Sequence, residues 1–169
     1  MITETEKQKL EAIYQNLLHD ERILKMKEIP MHNGSNCYLH TFKVVKGCFK
    51  RAIKKKDIDY ETLLYACVFH DYYLYDWRKH REFRKGHGKN HPQISINNAK
   101  KDFQISDAAA EIISSHMWPI NFKNFPHSKE AKILCDVDTM VATGEFLTSK
   151  KHKAKKEAKY LEEISHLFD

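Results

Sequence analysis

Glycine and proline are scarce in this chain, with 5 Gly and 4 Pro among 169 residues. Tight turns draw on these two residues, so their scarcity implies long elements joined by few connections. Apolar residues between them recur every three or four positions, as at Leu10, Ile13, Tyr14, Leu17 and Leu18. That is the period of a helix with one buried face. No stretch alternates apolar and polar residues over a useful strand length, and there is no internal repeat. The expected fold class is all-α, a single-domain helical bundle of about six or seven helices spanning residues 1–169.

Local signals divide the bundle. Thr3 and Glu6 are spaced as a capping box at the head of a helix from Thr3 to His19. Residues 30–36 read as a loop. A second helix runs from Cys37 to Lys54, with Leu39, Phe42, Val45, Cys48 and Phe49 facing inward. Asp59 caps a third, ending at His70. Residues 72–91 mix Tyr72, Tyr73, Tyr75, Trp77 and Phe83 with basic side chains, Gly86 and Gly88, and read as an irregular or partly helical surface segment. Pro92 suits the first turn of a helix through Phe103. Ser106 caps the next helix, which ends near Met117 because Pro119 cannot continue it. Ser128 caps a long helix carrying Ile133, Leu134, Val137, Met140 and Val141, with Gly144 as a point of interruption. A basic amphipathic helix over about 150–168, with Tyr160, Leu161, Ile164 and Leu167, closes the chain.

Composition narrows the function classes. The apolar fraction of 41% and charged fraction of 31% fit a folded chain rather than a disordered one. No window approaches the run of about 20 apolar residues that a membrane span needs, and the polar N-terminus lacks a signal-peptide pattern. The expected compartment is the cytoplasm, with no membrane partner. Cys37, Cys48, Cys67 and Cys135 form no Cys-x-x-Cys pair and sit in apolar surroundings, which predicts buried reduced thiols. The net charge of +6 owes much to Lys150, Lys151, Lys153, Lys155, Lys156 and Lys159. That run reads first as a solvated helix face, and as a nucleic-acid or membrane surface only second.

The chain holds 11 histidines, and their positions matter more than their number. His40 lies inside an apolar-periodic helix, His70 ends one immediately before Asp71, and His116 lies one turn after Ile112. Asp138 sits among Leu134, Val137 and Met140. A core-facing carboxylate is expensive unless paired, hydrogen-bonded or metal-bound. Any one of these residues alone reads as a satisfied buried polar group. Several of them on separate helices point instead to one shared cavity, and imidazoles with carboxylates converging in a bundle are the usual makings of a metal centre.

The order His, His-Asp, Asp over successive helices resembles the HD-domain superfamily of metal-dependent phosphohydrolases. The segments Tyr38-Leu39-His40-Thr41-Phe42-Lys43, Ala66-Cys67-Val68-Phe69-His70-Asp71 and Leu134-Cys135-Asp136-Val137-Asp138-Thr139-Met140 carry that resemblance. Tyr72 to Trp77, His91-Pro92 and His116-Met117-Trp118-Pro119 narrow it to a bacterial subgroup of HD-domain hydrolases, over roughly residues 35–148.

The resemblance implies that His40, His70, Asp71 and Asp138 are the core metal ligands, with His70 and Asp71 at the catalytic centre and Asp71 able to bridge two ions. His91 and His116 stand where two-metal members supply further histidines, with His87 competing with His91 for that place. A dinuclear site is slightly favoured over a mononuclear one. Thr139 departs from the lysine that often follows the last Asp in the subgroup. Asp136 points to a different helix face from Asp138, so the two do not serve one ion. A nitrogen and oxygen ligand set without thiolate suits manganese, iron, cobalt, nickel or zinc.

The expected activity is hydrolysis of a phosphomonoester or phosphodiester by metal-activated water, with a nucleotide among the candidate substrates. Lys43, Arg78 and Lys79 are candidates for binding its anionic groups, with Arg81, Arg84, Lys85, Lys123 and Lys129 as further basic neighbours. Each alone reads as a solvated charge. Trp118, with Tyr72, Tyr73 and Trp77, reads either as a stacking surface for a base or as packing. The alternatives are a nucleic-acid-binding or nucleotide-sensing protein with a non-catalytic metal site, and, as a minor one, a diiron oxygenase.

Overall fold

Most of the main helices start where a side chain can satisfy their first free N–H groups. The computed structural model describes residues 2–31, 35–79, 84–147 and 158–168. Helix α1 (Glu4–Leu18) opens with both arms of the Thr3–Glu6 capping box, at 2.7 and 3.2 Å. Asp20 caps the short α2 (Glu21–Leu24), which passes into a 3₁₀ turn at Lys25–Glu28. Asn36 caps α3 (Cys37–Ala52) and Asp59 caps α4 (Tyr60–Phe69). Helix α5 (His87–Phe103) follows the left-handed Gly86, and Ser106 caps α6 (Asp107–Ser115). Ser128 Oγ accepts the Ala131 N–H at the head of α7 (Lys129–Leu147), and residues 158–163 form a last helical turn.

The described residues contain no strand, only an isolated bridge between Pro30 and Asn36. Among the described residues no helix is long and apolar enough to cross a membrane. The all-α expectation therefore holds for the described residues.

Helix α4 forms the centre. Leu63, Leu64, Ala66, Cys67, Val68 and Phe69 are all buried, the pattern of a helix surrounded by others. It packs against α1, α3, α6 and α7, and α3 packs along α7. Tyr14, Phe42, Phe49, Phe69 and Tyr72 fill the space between helices. Burying each such ring is worth about 1.5–3 kcal/mol. The tail joins the same core: Ile164 and Leu167 are buried, the Tyr14 hydroxyl donates to the Ile164 carbonyl, and Phe168 meets Phe49 edge-on. All four cysteines are free and buried, as expected.

Several expectations need correction. Helix α5 starts five residues before Pro92, which is buried inside it rather than in the first turn. Gly86, at φ 98°, supplies the turn that starts it. Residues 72–79 are irregular as expected, but Tyr72 and Tyr73 are core residues, not surface ones. Gly144 does not interrupt α7. Met140 is 59% exposed, so the apolar face of α7 excludes it. Helix α2 and the 3₁₀ turn escape a periodicity reading because their buried residues, Ile23 and Met26, are isolated among charges. Lys150, Lys151, Lys153, Lys155 and Lys156 of the basic run lie outside the described residues.

Candidate metal centre

Five helices deliver the site. The Asn36 side chain accepts the Leu39 N–H at 2.8 Å and places His40 in the first turn of α3. His70 is the C-cap of α4 and His116 the C-cap of α6, so both rings hang from helix ends over the same cavity. His91 lies on α5, and Asp138 on α7. Asp71, which follows the α4 C-cap His70, is the centre of the arrangement.

The two oxygens of Asp71 face opposite ways. Oδ2 lies 3.6 Å from His70 Nε2 and 3.8 Å from His40 Nε2. Oδ1 lies 3.1 Å from His91 Nε2 and 3.8 Å from His116 Nε2. Two groups able to hold an ion result, His40–His70–Asp71 and Asp71–His91–His116, with Asp71 common to both. Asp138 Oδ1 closes the first group from α7, 2.9 Å from His40 Nε2 and 3.6 Å from His70 Nε2. The five residues of the two groups are each 5% exposed or less.

Every ring is held from behind. Nδ1 of His70 meets the Cys67 carbonyl at 2.8 Å, Nδ1 of His91 the His87 carbonyl at 2.9 Å, and Nδ1 of His116 the Ile113 carbonyl at 2.8 Å. A carbonyl only accepts, so each Nδ1 carries a proton, and a ring without a second proton presents its Nε2 lone pair to the cavity. His91 Nε2 and His116 Nε2 face each other 2.9 Å apart. His70 Nε2 is buried with no hydrogen-bond partner among the described residues. Converging imidazole Nε2 atoms and two buried carboxylates make a site for a cation, and the donor set suits a divalent transition metal.

The charges agree. Burial opposes ionisation of Asp71, but His70, His91 and His116 around it hold its carboxyl well below the usual range. Asp138 is likewise lowered, burial being outweighed by His40 and His70. Burial works against a charged His40, yet Asp138 and Glu145 raise it to about 10. Burial, then the neighbouring His91 and His70, bring His116 down to about 4. The cavity thus keeps its carboxylates ionised and takes up positive charge on the His40 side.

His91 joins the cluster, while His87 stacks behind it at 4.7 Å between rings and meets the Tyr75 hydroxyl with Nδ1. Asp136 is exposed beside Arg51, whereas Asp138 faces His40 and His70. Lys43 does not stand free near His40: its ammonium pairs with Glu145 at 3.1 Å and covers the Tyr160 ring. Arg78 bonds to Asp76 and to the carbonyls of Pro30 and Met31, and Lys79 is exposed beside Asp76. Trp118, two residues beyond His116, is 38% exposed and packs edge-on against Phe125. Tyr72 packs on Phe69 and Phe103, and the Tyr73 ring lies 5.7 Å from His91. Glu145 was missed by sequence reasoning, although it stands two helical turns after Asp138 on the same face.

The site and fold together define a helical bundle with a buried histidine and aspartate cluster able to hold metal. Comparison with protein-family models, with curated proteins and with solved structures found no match.

Proposed function

We propose that this protein is a metal-dependent phosphohydrolase of the HD-domain type, acting on a phosphomonoester or phosphodiester, with nucleotides among its substrates. The observation that carries the reading is Asp71 standing between two imidazole pairs, one oxygen toward each. His40, His70, Asp138 and one oxygen of Asp71 would hold one ion. The other oxygen of Asp71, with His91 and His116, would hold a second, so a dinuclear centre is favoured. Divalent ions in such sites acidify water and polarise phosphoryl oxygens.

The chain's own residues hold that centre in place. The Cys67, His87 and Ile113 carbonyls fix the ring orientations, and the packed core excludes water from behind. Trp118 is the exposed aromatic closest in sequence to a ligand and offers a face for a base or sugar.

The test is metal analysis of the purified protein, followed by a phosphoester screen with manganese, iron, cobalt, nickel and zinc. One to two equivalents of metal and metal-dependent hydrolysis are expected. Absence of bound metal, or metal content unchanged in the His70→Ala, Asp71→Ala double variant, overturns the reading. A second reading, oxidation chemistry at two irons, is favoured by the same thiolate-free ligand set. It predicts oxygen consumption with iron alone and no phosphoester turnover.

A further inference from the structure

Glu145, in the last turns of α7, is an acid only 6% exposed that no ligand role accounts for. Its Oε2 lies 3.1 Å from Nδ1 of His40, on the opposite side of the ring from Asp138, which faces Nε2 at 2.9 Å. Glu145 therefore contacts the far edge of the ring, away from the cavity. Its Oε1 accepts from the Ser35 hydroxyl at 3.0 Å and from the Lys43 ammonium at 3.1 Å. The Lys43 ammonium is held in turn over the Tyr160 ring, 3.8 Å from its centroid. One carboxylate is thus gripped at both oxygens, and one helix places acids against both nitrogens of one imidazole.

Among the described residues the three other rings have no such acid at Nδ1. His70, His91 and His116 each meet a backbone carbonyl with Nδ1. A carboxylate accepts a stronger hydrogen bond than a neutral carbonyl. It also fixes the tautomer and makes the opposite nitrogen a better donor to metal.

We infer that Glu145 is a positioning residue that fixes His40 as an Nε2 ligand and makes the His40–His70 half of the centre the tighter of two unequal ion sites. This rests on the reading of the cluster as a metal centre. Ser35 and Lys43 belong to the same device, because they keep the Glu145 carboxylate from turning away. The Lys43 charge also neutralises Glu145, so the acid can stand beside His40 without competing for the ion.

The experiment is titration of cobalt(II) into the metal-free full chain, followed by calorimetry and visible absorption, for wild type, E145Q and E145A. The wild type should show two binding events of different affinity. In E145A the tighter event should weaken about 10–100-fold while the other is unchanged. E145Q keeps the size of the side chain without its charge, and should weaken the same event about tenfold. It decides the matter if E145A fails to fold. H116A should do the reverse, removing the weaker event and sparing the tighter. In the metal-free wild type a His40 Nδ1–H resonance should be visible by nitrogen-15 NMR and should be lost in E145A.

Equal affinities in wild type and both variants overturn the inference alone. So does an equal loss at both sites, which marks Glu145 as merely structural. A wild-type chain that binds no cobalt, nor any other metal in the screen above, overturns the metal-centre reading and this inference with it.

Discussion

Gly47 of α3 lies so close to Val137 of α7 that a Cβ built on it would stand 2.6 Å from Val137 Cγ1. Contacts that short do not persist, so Gly47→Ala must push the helices apart or turn Val137. The expected cost is about 1–3 kcal/mol, read from urea unfolding. Trimming the neighbour as well, in Gly47→Ala with Val137→Ala, should cost less than the sum of the two single changes. Asp138 adjoins Val137, so Gly47→Ala should also weaken metal binding, and the double variant should recover part of it.

Asp71 is common to both halves of the centre, whereas Asp138 touches only one. Asp71→Asn should lower bound metal at both sites. Asp138→Asn should leave the ion of the His91–His116 half in place. Metal equivalents per chain after gel filtration separate the two outcomes.

A bound ion stabilises the folded chain by mass action, because the unfolded chain has no formed site. An ion present at 100 times its Kd adds about 2.7 kcal/mol. For a chain of this size that corresponds to about 5–10 °C in Tm. Adding a chelator should lower Tm by that amount in the wild type and by little in the Asp71→Asn variant. A thermal scan with and without chelator is the check.

The metal-free protein should lose stability in mild acid. Burial and, for both rings, the nearby His91 lower His87 and His116 from the ordinary 6.5 to about 4. The unfolded chain therefore binds more protons than the folded one between those values, and stability rises with pH across that window. The contribution is present above 6.5 and is lost as pH falls to about 4. His40, raised to about 10, works in the opposite sense: its contribution is present below 6.5 and lost as pH rises through 10. Tm of the chelated protein should fall on going from pH 6.5 to 4, and less steeply in His87→Asn.

Gln104 ends α5 at φ 52° with an exposed side chain. A left-handed backbone costs a non-glycine residue about 1–2 kcal/mol. Gln104→Gly should recover about 1 kcal/mol of that, visible as a rise in urea midpoint at constant slope.

Much of the fold is legible one residue at a time. Thr3, Asn36, Asp59, Ser106 and Ser128 cap helices because a short polar side chain meets the free N–H groups just ahead of it. Pro92 misleads for the same local reason. Proline prefers a first turn, but Gly86 starts the helix earlier, and the surrounding packing accepts the lost backbone bond. Ile23 and Met26 are buried by neighbouring helices, not by any period of their own.

The candidate ligands could be named from the sequence because imidazoles and acids on apolar faces are costly unless they share a purpose. His40, His70, Asp71, His116 and Asp138 stand out in that way, whereas His91 enters only through the resemblance to HD-domain proteins, with His87 competing for its place. What no linear reading could supply is their mutual position. The two faces of Asp71, the 2.9 Å approach of His91 to His116 and the grip of Glu145, Ser35 and Lys43 on His40 join residues up to 110 positions apart. Helix starts depend on neighbours a few residues away, so the sequence alone determines most of them. The shape of the site depends on how α3, α4, α5, α6 and α7 cross, and only the packed core decides that.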